Sequence, residues 1–193
     1  STVEIDMLGR PSGKQDQYAA AFGGLNMFSF FPDGSVSVDP QTLTTPVLED
    51  LFDHIMMMWT GITRDSSNVL TEQQANTEAK MAELKDMRDH AISLKSILSN
   101  GFDPSKFGQV LDETWAKKRQ LASNISSDDI DEWYRLAMSA GAYGGKLCGA
   151  GNGGFLLLLA PPDRQDAIRQ AVPDLRQLPV SQEAHGSTLL LSN

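Results

Sequence analysis

The stretch Gly149-Ala150-Gly151-Asn152-Gly153-Gly154, followed at once by the apolar run Phe155-Leu156-Leu157-Leu158-Leu159, constrains this chain more than any other feature. It contains the string Gly-x-Gly-x-x-Gly, but in an order that excludes a dinucleotide fold. That fingerprint needs a strand before the glycines and a helix after them, so that the helix N-terminus meets the pyrophosphate. Here a helical pattern comes first and a strand pattern second. No Gly-Lys-Ser/Thr phosphate loop occurs either. Gly145, Gly149, Gly151, Gly153 and Gly154 are more glycines than one turn requires, and bare backbone can come close to a ligand or to another loop. A tight helix-to-strand turn also accounts for some of them. Lys146 is suited to facing a phosphate, or solvent.

Periodicity organises the rest. Gln15 to Phe22 is rich in helix formers and is stopped by Gly23-Gly24. Leu25–Phe31 and Ser35–Val38 are strand-like and flank the turn signal Pro32-Asp33-Gly34. A helix is predicted over Pro46–Asp53, then a buried strand over His54–Trp59 that ends at Thr60-Gly61. The methionines of that strand read as core packing rather than a metal or flexible binding surface. Thr71–Ser99 reads as one long helix. Thr71 and Gln74 form a capping-box pattern, and Met81, Leu84, Met87, Ala91, Leu94 and Leu98 recur at helical spacing. Asp103-Pro104 opens another helix, buried through Phe107, Val110, Leu111 and Trp115. A third opens at Ser127, with Asp128 and Asp129 in its first turn and Ile130, Trp133, Tyr134, Ala137 and Met138 as its stripe. A strand over 155–159, a short helix over 162–172 and a final strand over 187–191 complete the pattern. The order from residue 46 is helix, strand, helices, strand, helix, strand. It predicts an antiparallel or mixed sheet with helices on one face, an α+β sandwich.

Length and charge narrow the function classes. The chain has 193 residues, 40% of them hydrophobic, enough for one core plus part of another domain. Sixteen basic against 25 acidic residues give a net charge of -9. That balance disfavours general nucleic-acid or membrane-surface binding, though not a small anionic ligand in a locally basic site. The single cysteine, Cys148, allows no intrachain disulfide, which fits a reducing cytoplasm. The longest apolar run is too short to span a bilayer. The first residues do not read as a signal peptide. The chain does not start with Met and is expected to begin partway through a longer gene product. His54, His90 and His185 have no ligand spacing, and no metal site is expected from them.

One carboxylate stands in a suggestive setting. Asp16 follows Gly13-Lys14, is flanked by the amides of Gln15 and Gln17, and precedes Ala19-Ala20-Ala21. Phosphoryl transfer to a hydroxyl needs positioning, charge neutralisation and a group to accept the hydroxyl proton. A carboxylate near the cations Arg10 and Lys14 suits that last role. An Asp in a first helical turn also serves as a cap or a dipole partner, and the residues alone do not choose between these roles.

Two motifs then carry a resemblance. Residues 9–24, centred on Gly13-Lys14-Gln15-Asp16-Gln17-Tyr18, resemble the catalytic-helix motif of the GHMP kinases, the superfamily of galactokinase, homoserine kinase and mevalonate kinase. Residues 141–155 resemble their third, glycine-rich motif, in the right order and at about the right distance. The run from Lys14 to Asn26, with Thr60-Gly61-Ile62-Thr63-Arg64, looks most like the D-glycero-D-manno-heptose 7-phosphate kinases.

The resemblance implies an ATP- and Mg2+-dependent transfer to a sugar hydroxyl, here the anomeric one of a heptose phosphate, in the cytoplasm. It implies Asp16 as catalytic base, Gly13, Lys14, Gln15 and Gln17 as a sugar-facing strip, and Lys146, Gly149, Gly151, Asn152, Gly153 and Gly154 as the nucleotide-phosphate loop. Asn152 departs from the usual glycine, but Asn visits left-handed backbone more readily than most residues. Arg64, after a strand end, is a candidate for a sugar phosphate. Residues 1–45 would be the end of an N-terminal kinase domain and residues 46–193 a ferredoxin-like C-terminal domain with extra helices. The family's Gly-Leu-Gly-Ser-Ser-type loop, which makes the main triphosphate contacts and helps hold magnesium, has no match here. The N-terminal half of the same kinase is therefore an expected partner, and the chain alone is expected to be inactive or nearly so. A homodimer is compatible with this picture. Another sugar kinase of the superfamily and a non-catalytic ligand-binding domain of the same fold are the alternatives.

Overall fold

The computed structural model describes residues 7, 13–63 and 67–188. The chain divides into two compact units, residues 1–43 with 181–193, and residues 44–180.

In the first unit, helix α1 (Gln15–Phe22) ends at Gly23, whose φ of 63° and N–H to Ala19 O close the last turn. Strands β1 (Asn26–Phe30) and β2 (Val36–Pro40) form the predicted antiparallel hairpin, with Phe30 opposite Val36. The Asp33 carboxylate holds the turn by accepting from Ser35 N at 2.9 Å and Ser35 Oγ at 2.6 Å. The rings of Tyr18, Phe22, Phe28 and Phe30 close α1 onto β1.

The segment from residue 181 belongs to this unit. Gly24 N donates to Glu183 O at 2.7 Å, and Ser187 N to Ala21 O at 3.1 Å. A Cβ on Gly186 would lie 2.0 Å from Ala21 O, and one on Gly23 would lie 2.4 Å from Gly186 N. Glycine on both sides is what lets the two backbones touch. The strand expected over 187–191 is not seen in its described part, because Ser187 and Thr188 are in no strand. The remainder lies outside the described residues.

The second unit contains α2 (Thr45–Asp53), β3 (Ile55–Trp59), α3 (Ser67–Ala75), α4 (Met81–Ser99), α5 (Pro104–Lys118), α6 (Asp128–Ser139), β4 (Gly144–Leu147), β5 (Phe155–Leu159), α7 (Gln165–Ala171) and β6 (Arg176–Leu178). The sheet order is β4-β5-β3-β6, antiparallel throughout. This is the α+β arrangement the pattern predicts. Alternation puts Met56, Met58, Leu147, Leu156 and Leu158 on one face, where they join Trp115, Ile130, Tyr134, Ala137 and Ile168 in the core. Met56 and Met58 thus pack the interior as expected, while Met57 lies half-buried on the other face of the strand. Asp103 and Ser127 cap α5 and α6 through Lys106 N and Ile130 N.

Three elements differ from the sequence pattern. The predicted helix 71–99 is two helices, and Thr71 lies inside α3 rather than capping a helix. Long-range bonds set the break: Asn76 Nδ2 donates to Leu121 O at 2.9 Å, and the Glu72 carboxylate accepts from Ser123 N at 2.7 Å. Strand β4 occupies a stretch whose glycines read as loop. It is a strand by its antiparallel pairing with β5, and its first two residues must be glycine because of crowding, since a Cβ on Gly144 would lie 1.9 Å from Gly108 O in α5 and one on Gly145 would lie 2.2 Å from Leu157 O. The last strand of the sheet is Arg176–Leu178, too short and polar to stand out by pattern.

Candidate functional site

Asp16 occupies the second position of α1. Lys14 is the N-cap residue, and its carbonyl accepts from Tyr18 N at 3.1 Å. Asp16 is thus not the cap. Its exposed carboxylate sits at the positive end of the helix, where the unpaired N–H groups favour a negative charge. Helix α1 buries none of its side chains. Gly13, Lys14 and Gln15, directly before Asp16, line a cavity of about 290 Å³. Its other lining residues come from the hairpin: Phe30, Phe31, Gly34 and Ser35. Three members of the predicted sugar strip therefore share one recess, and Gln17 is not among its lining residues. Arg64 lies outside the described residues, as do residues 9–12 at the start of the motif.

The glycine loop joins β4 to β5, so a strand precedes it and not a helix. The dinucleotide reading stays excluded, because a strand rather than a helix follows the glycines. The loop's backbone is pinned from three directions. Thr60 donates to Gly154 O through N at 3.0 Å and Oγ1 at 2.8 Å, while Gly154 N donates to Ile62 O at 2.9 Å. Asn152 N donates to Ile125 O at 2.7 Å. Gln73 Nε2 reaches Ala150 O at 3.4 Å, and Lys118 Nζ donates to Gly149 O.

The loop's glycines fall into two kinds. A Cβ on Gly151 would meet Ile125 O at 2.8 Å, and one on Gly153 would meet Ile62 O at 2.6 Å. Those two glycines serve packing. A Cβ on Gly149 or Gly154 would meet nothing within 4 Å, so their bare backbone borders open space. Asn152 has a φ of 60°, the left-handed conformation that Asn tolerates. Lys146 is half-buried on β4, and its strand partner is Leu157.

Tyr134, on α6, anchors the strand that leads into the loop. Its hydroxyl donates to Asp112 Oδ1 at 2.6 Å and lies 3.3 Å from Gly145 O. Burial, and then the Asp112 carboxylate, push the hydroxyl pKa well above the usual tyrosine value. Sequence reasoning missed Lys118, Thr60 and Tyr134. The positions of Lys118 at the end of α5 and Thr60 at the end of β3 offered a signal only to a reader who already knew the pairing.

The histidines are engaged structurally where their rings have partners. The His54 ring lies 2.8 Å from Asp50 O and stacks on Tyr143, and His90 Nδ1 lies 2.9 Å from Thr114 Oγ1. Among the described residues no group of three or more His, Cys, Asp or Glu is gathered as a metal site would require. No helix among them is long and apolar enough to cross a membrane.

An α+β domain with an antiparallel four-stranded sheet and a pinned glycine hairpin defines the class, and residues 93–175 match the family described as GHMP kinases C terminal. The chain thus contains a GHMP kinase C-terminal domain and has that fold. It is 30% identical over 172 residues to the D-glycero-alpha-D-manno-heptose 7-phosphate kinase of Campylobacter jejuni, covering 88% of this chain and 50% of that protein. It is 27% identical over 204 residues to the galactokinase of Pyrococcus furiosus, covering 88% of this chain and 54% of that protein. A solved structure described as a D-glycero-D-manno-heptose 1-phosphate kinase from Bacteroides thetaiotaomicron superposes with a TM-score of 0.72 at 24% identity, over 96% of this chain and 51% of that one. The chain spans about half the length of each of these three relatives.

Proposed function

We propose that this chain is the C-terminal part of an ATP-dependent sugar kinase acting on D-glycero-D-manno-heptose 7-phosphate at its anomeric hydroxyl. The observation that carries this reading is the 30% identity over 172 residues to the Campylobacter jejuni kinase. The exposed Asp16, which follows in sequence the Gly13-Lys14-Gln15 wall of a small recess without lining it, and a glycine loop with open space at Gly149, support it. The first unit is then the end of an N-terminal kinase domain, and residues from 46 form the C-terminal domain, with the segment from 181 returning to the first unit.

In the reaction, the sugar hydroxyl oxygen forms a bond to the γ-phosphorus of ATP while the bond from that phosphorus to the ADP oxygen breaks. The hydroxyl proton goes to the Asp16 carboxylate. Lys14 offsets charge on the acceptor. The loop N–H groups other than those of Asn152 and Gly154, which are bonded to Ile125 and Ile62, offer donors to the nucleotide phosphates. The missing half supplies the remaining ATP contacts and the magnesium ligands, and turnover takes place in the cytoplasm.

The test is a kinase assay of the complete protein with heptose 7-phosphate, ATP and magnesium, beside this chain alone. The expected result is turnover by the complete protein and almost none by the fragment. Robust turnover by the isolated chain would sink the two-part reading. The match to a galactokinase favours a second reading, another sugar kinase of the same superfamily. A panel that includes galactose separates the two. Binding without turnover on every acceptor would point to a non-catalytic domain of the same fold.

A further inference from the structure

We propose that the β1–β2 hairpin is a wall of the acceptor pocket, and that Phe31 sets which acceptor fits. This inference rests on the kinase reading above. The recess of about 290 Å³ is built from two pieces of chain. One is Gly13-Lys14-Gln15, which runs directly into Asp16. The other is the hairpin end, with Phe30, Phe31, Gly34 and Ser35. Its volume lies near the lower end for small-molecule sites, roughly 300–1,000 Å³.

The lining chemistry selects a class of ligand. Lys14 brings a cation, two glycines bring bare backbone, and two phenylalanines bring flat apolar surface. A free inorganic anion has no use for the rings, and a wholly apolar ligand has none for the ammonium. A phosphorylated sugar has both an anionic group and a carbon face that can lie on an aromatic ring.

Phe31 differs from its neighbour. The Phe30 ring belongs to the cluster that closes α1 onto β1, 5.6 Å from the Tyr18 ring. Phe31 stands outside that cluster and is 49% exposed. Its backbone is nevertheless fixed. Phe31 N donates to Ser35 O at 3.0 Å, and Gly34 N donates to Phe31 O at 3.0 Å. The Asp33 carboxylate locks the same turn through Ser35. A large ring on a rigid turn, lining a recess whose other wall is the segment Gly13-Lys14-Gln15 that precedes the expected base, is placed to meet substrate rather than to fill the core.

The experiment is steady-state kinetics of the complete protein with Phe31→Ala and Phe31→Leu, varying acceptor and ATP separately, with Asp16→Asn alongside. For Phe31→Ala the expected result is an acceptor KM raised on the order of tenfold, with the ATP KM unchanged and an unchanged melting temperature. Phe31→Leu, which keeps apolar bulk, is expected to fall between. Should the alanine variant melt lower, the leucine variant carries the test. An acceptor KM within about twofold of wild type in both variants, while Asp16→Asn abolishes turnover, overturns the hairpin proposal and leaves the kinase reading standing. If the wild type turns over no acceptor, calorimetric titration with heptose 7-phosphate decides. Affinity lost in Phe31→Ala upholds the pocket, and equal affinity or no binding overturns it.

Discussion

Helix α1, in the first unit, and the glycine loop, in the second, are built in opposite ways. Helix α1 buries none of its side chains and carries its carboxylate exposed. The loop has backbone bonds to Thr60, Ile62 and Ile125 and is touched by side chains from α3 and α5. One region therefore carries an exposed carboxylate at the start of a helix that packs through Tyr18 and Phe22, and the other holds shape dictated by its neighbours. Substitution of that carboxylate should act on rate with little effect on stability. Substitutions in the second should move stability and nucleotide affinity together.

The hardest test of that contrast is Asp16→Asn. In the complete protein, loss of the base is expected to lower kcat by about a hundredfold to ten-thousandfold. The melting temperature should fall by no more than about 4 °C, because an exposed isosteric change removes no packing and only the helix-end charge interaction of about 0.3–1 kcal/mol. Normal turnover would remove Asp16 from the mechanism. A large drop in melting temperature would break the contrast itself. Next in size is Gly153→Ala. Its Cβ would lie 2.6 Å from Ile62 O at a φ of 142°, so a loss of roughly 3 kcal/mol is expected in denaturant unfolding. Gly149→Ala is the control in the same loop, with a φ of 76° and open space around it. It should cost only about 1–2 kcal/mol from backbone strain. Equal losses at the two positions would refute the division into packing and open glycines.

Tyr134→Phe probes the strand that feeds the loop. The hydroxyl donates to Asp112, so its removal should cost about 1.5–3 kcal/mol at neutral pH. The raised pKa of the buried hydroxyl fixes the sign at alkaline pH. The unfolded chain loses this proton near pH 10, before the folded protein does. The wild type's advantage over the phenylalanine variant is therefore complete below about pH 10 and shrinks as pH rises above it. Melting curves of both proteins between pH 8 and 11 measure it, and an advantage that grows with pH would contradict the assignment.

The same contrast explains what was legible in the sequence. Helix α1, the hairpin, α5, α6 and β5 declared themselves, because caps, turn residues and periodicity are local signals. Asp16 stood out only through its motif, since a first-turn carboxylate has several ordinary uses. What stayed hidden depends on partners far along the chain. Gly144 and Gly145 form a strand because they pair with β5, and they are glycine because α5 and β5 leave no room for a Cβ, whereas local reading sees only loop-forming residues. The break after Ala75 follows from bonds to Leu121 and Ser123. The return of residues 181–188 to α1 depends on glycines 23 and 186 meeting.

Lys118→Met is the finest of these tests. Its ammonium donates to the Gly149 carbonyl, the one contact from a cation to the open end of the loop among those described. Methionine keeps the apolar stem and removes the charge. The loop's backbone bonds to Thr60, Ile62 and Ile125 remain, so the fold should hold and the melting temperature should change little. If the ammonium also offsets phosphate charge, the ATP KM of the complete protein should rise a few-fold, consistent with about 0.5–1 kcal/mol for a partly screened charge. The acceptor KM should stay fixed. A rise in the acceptor KM instead would mean that the loop and the α1 recess do not divide nucleotide from sugar, and the comparison between them would need redrawing.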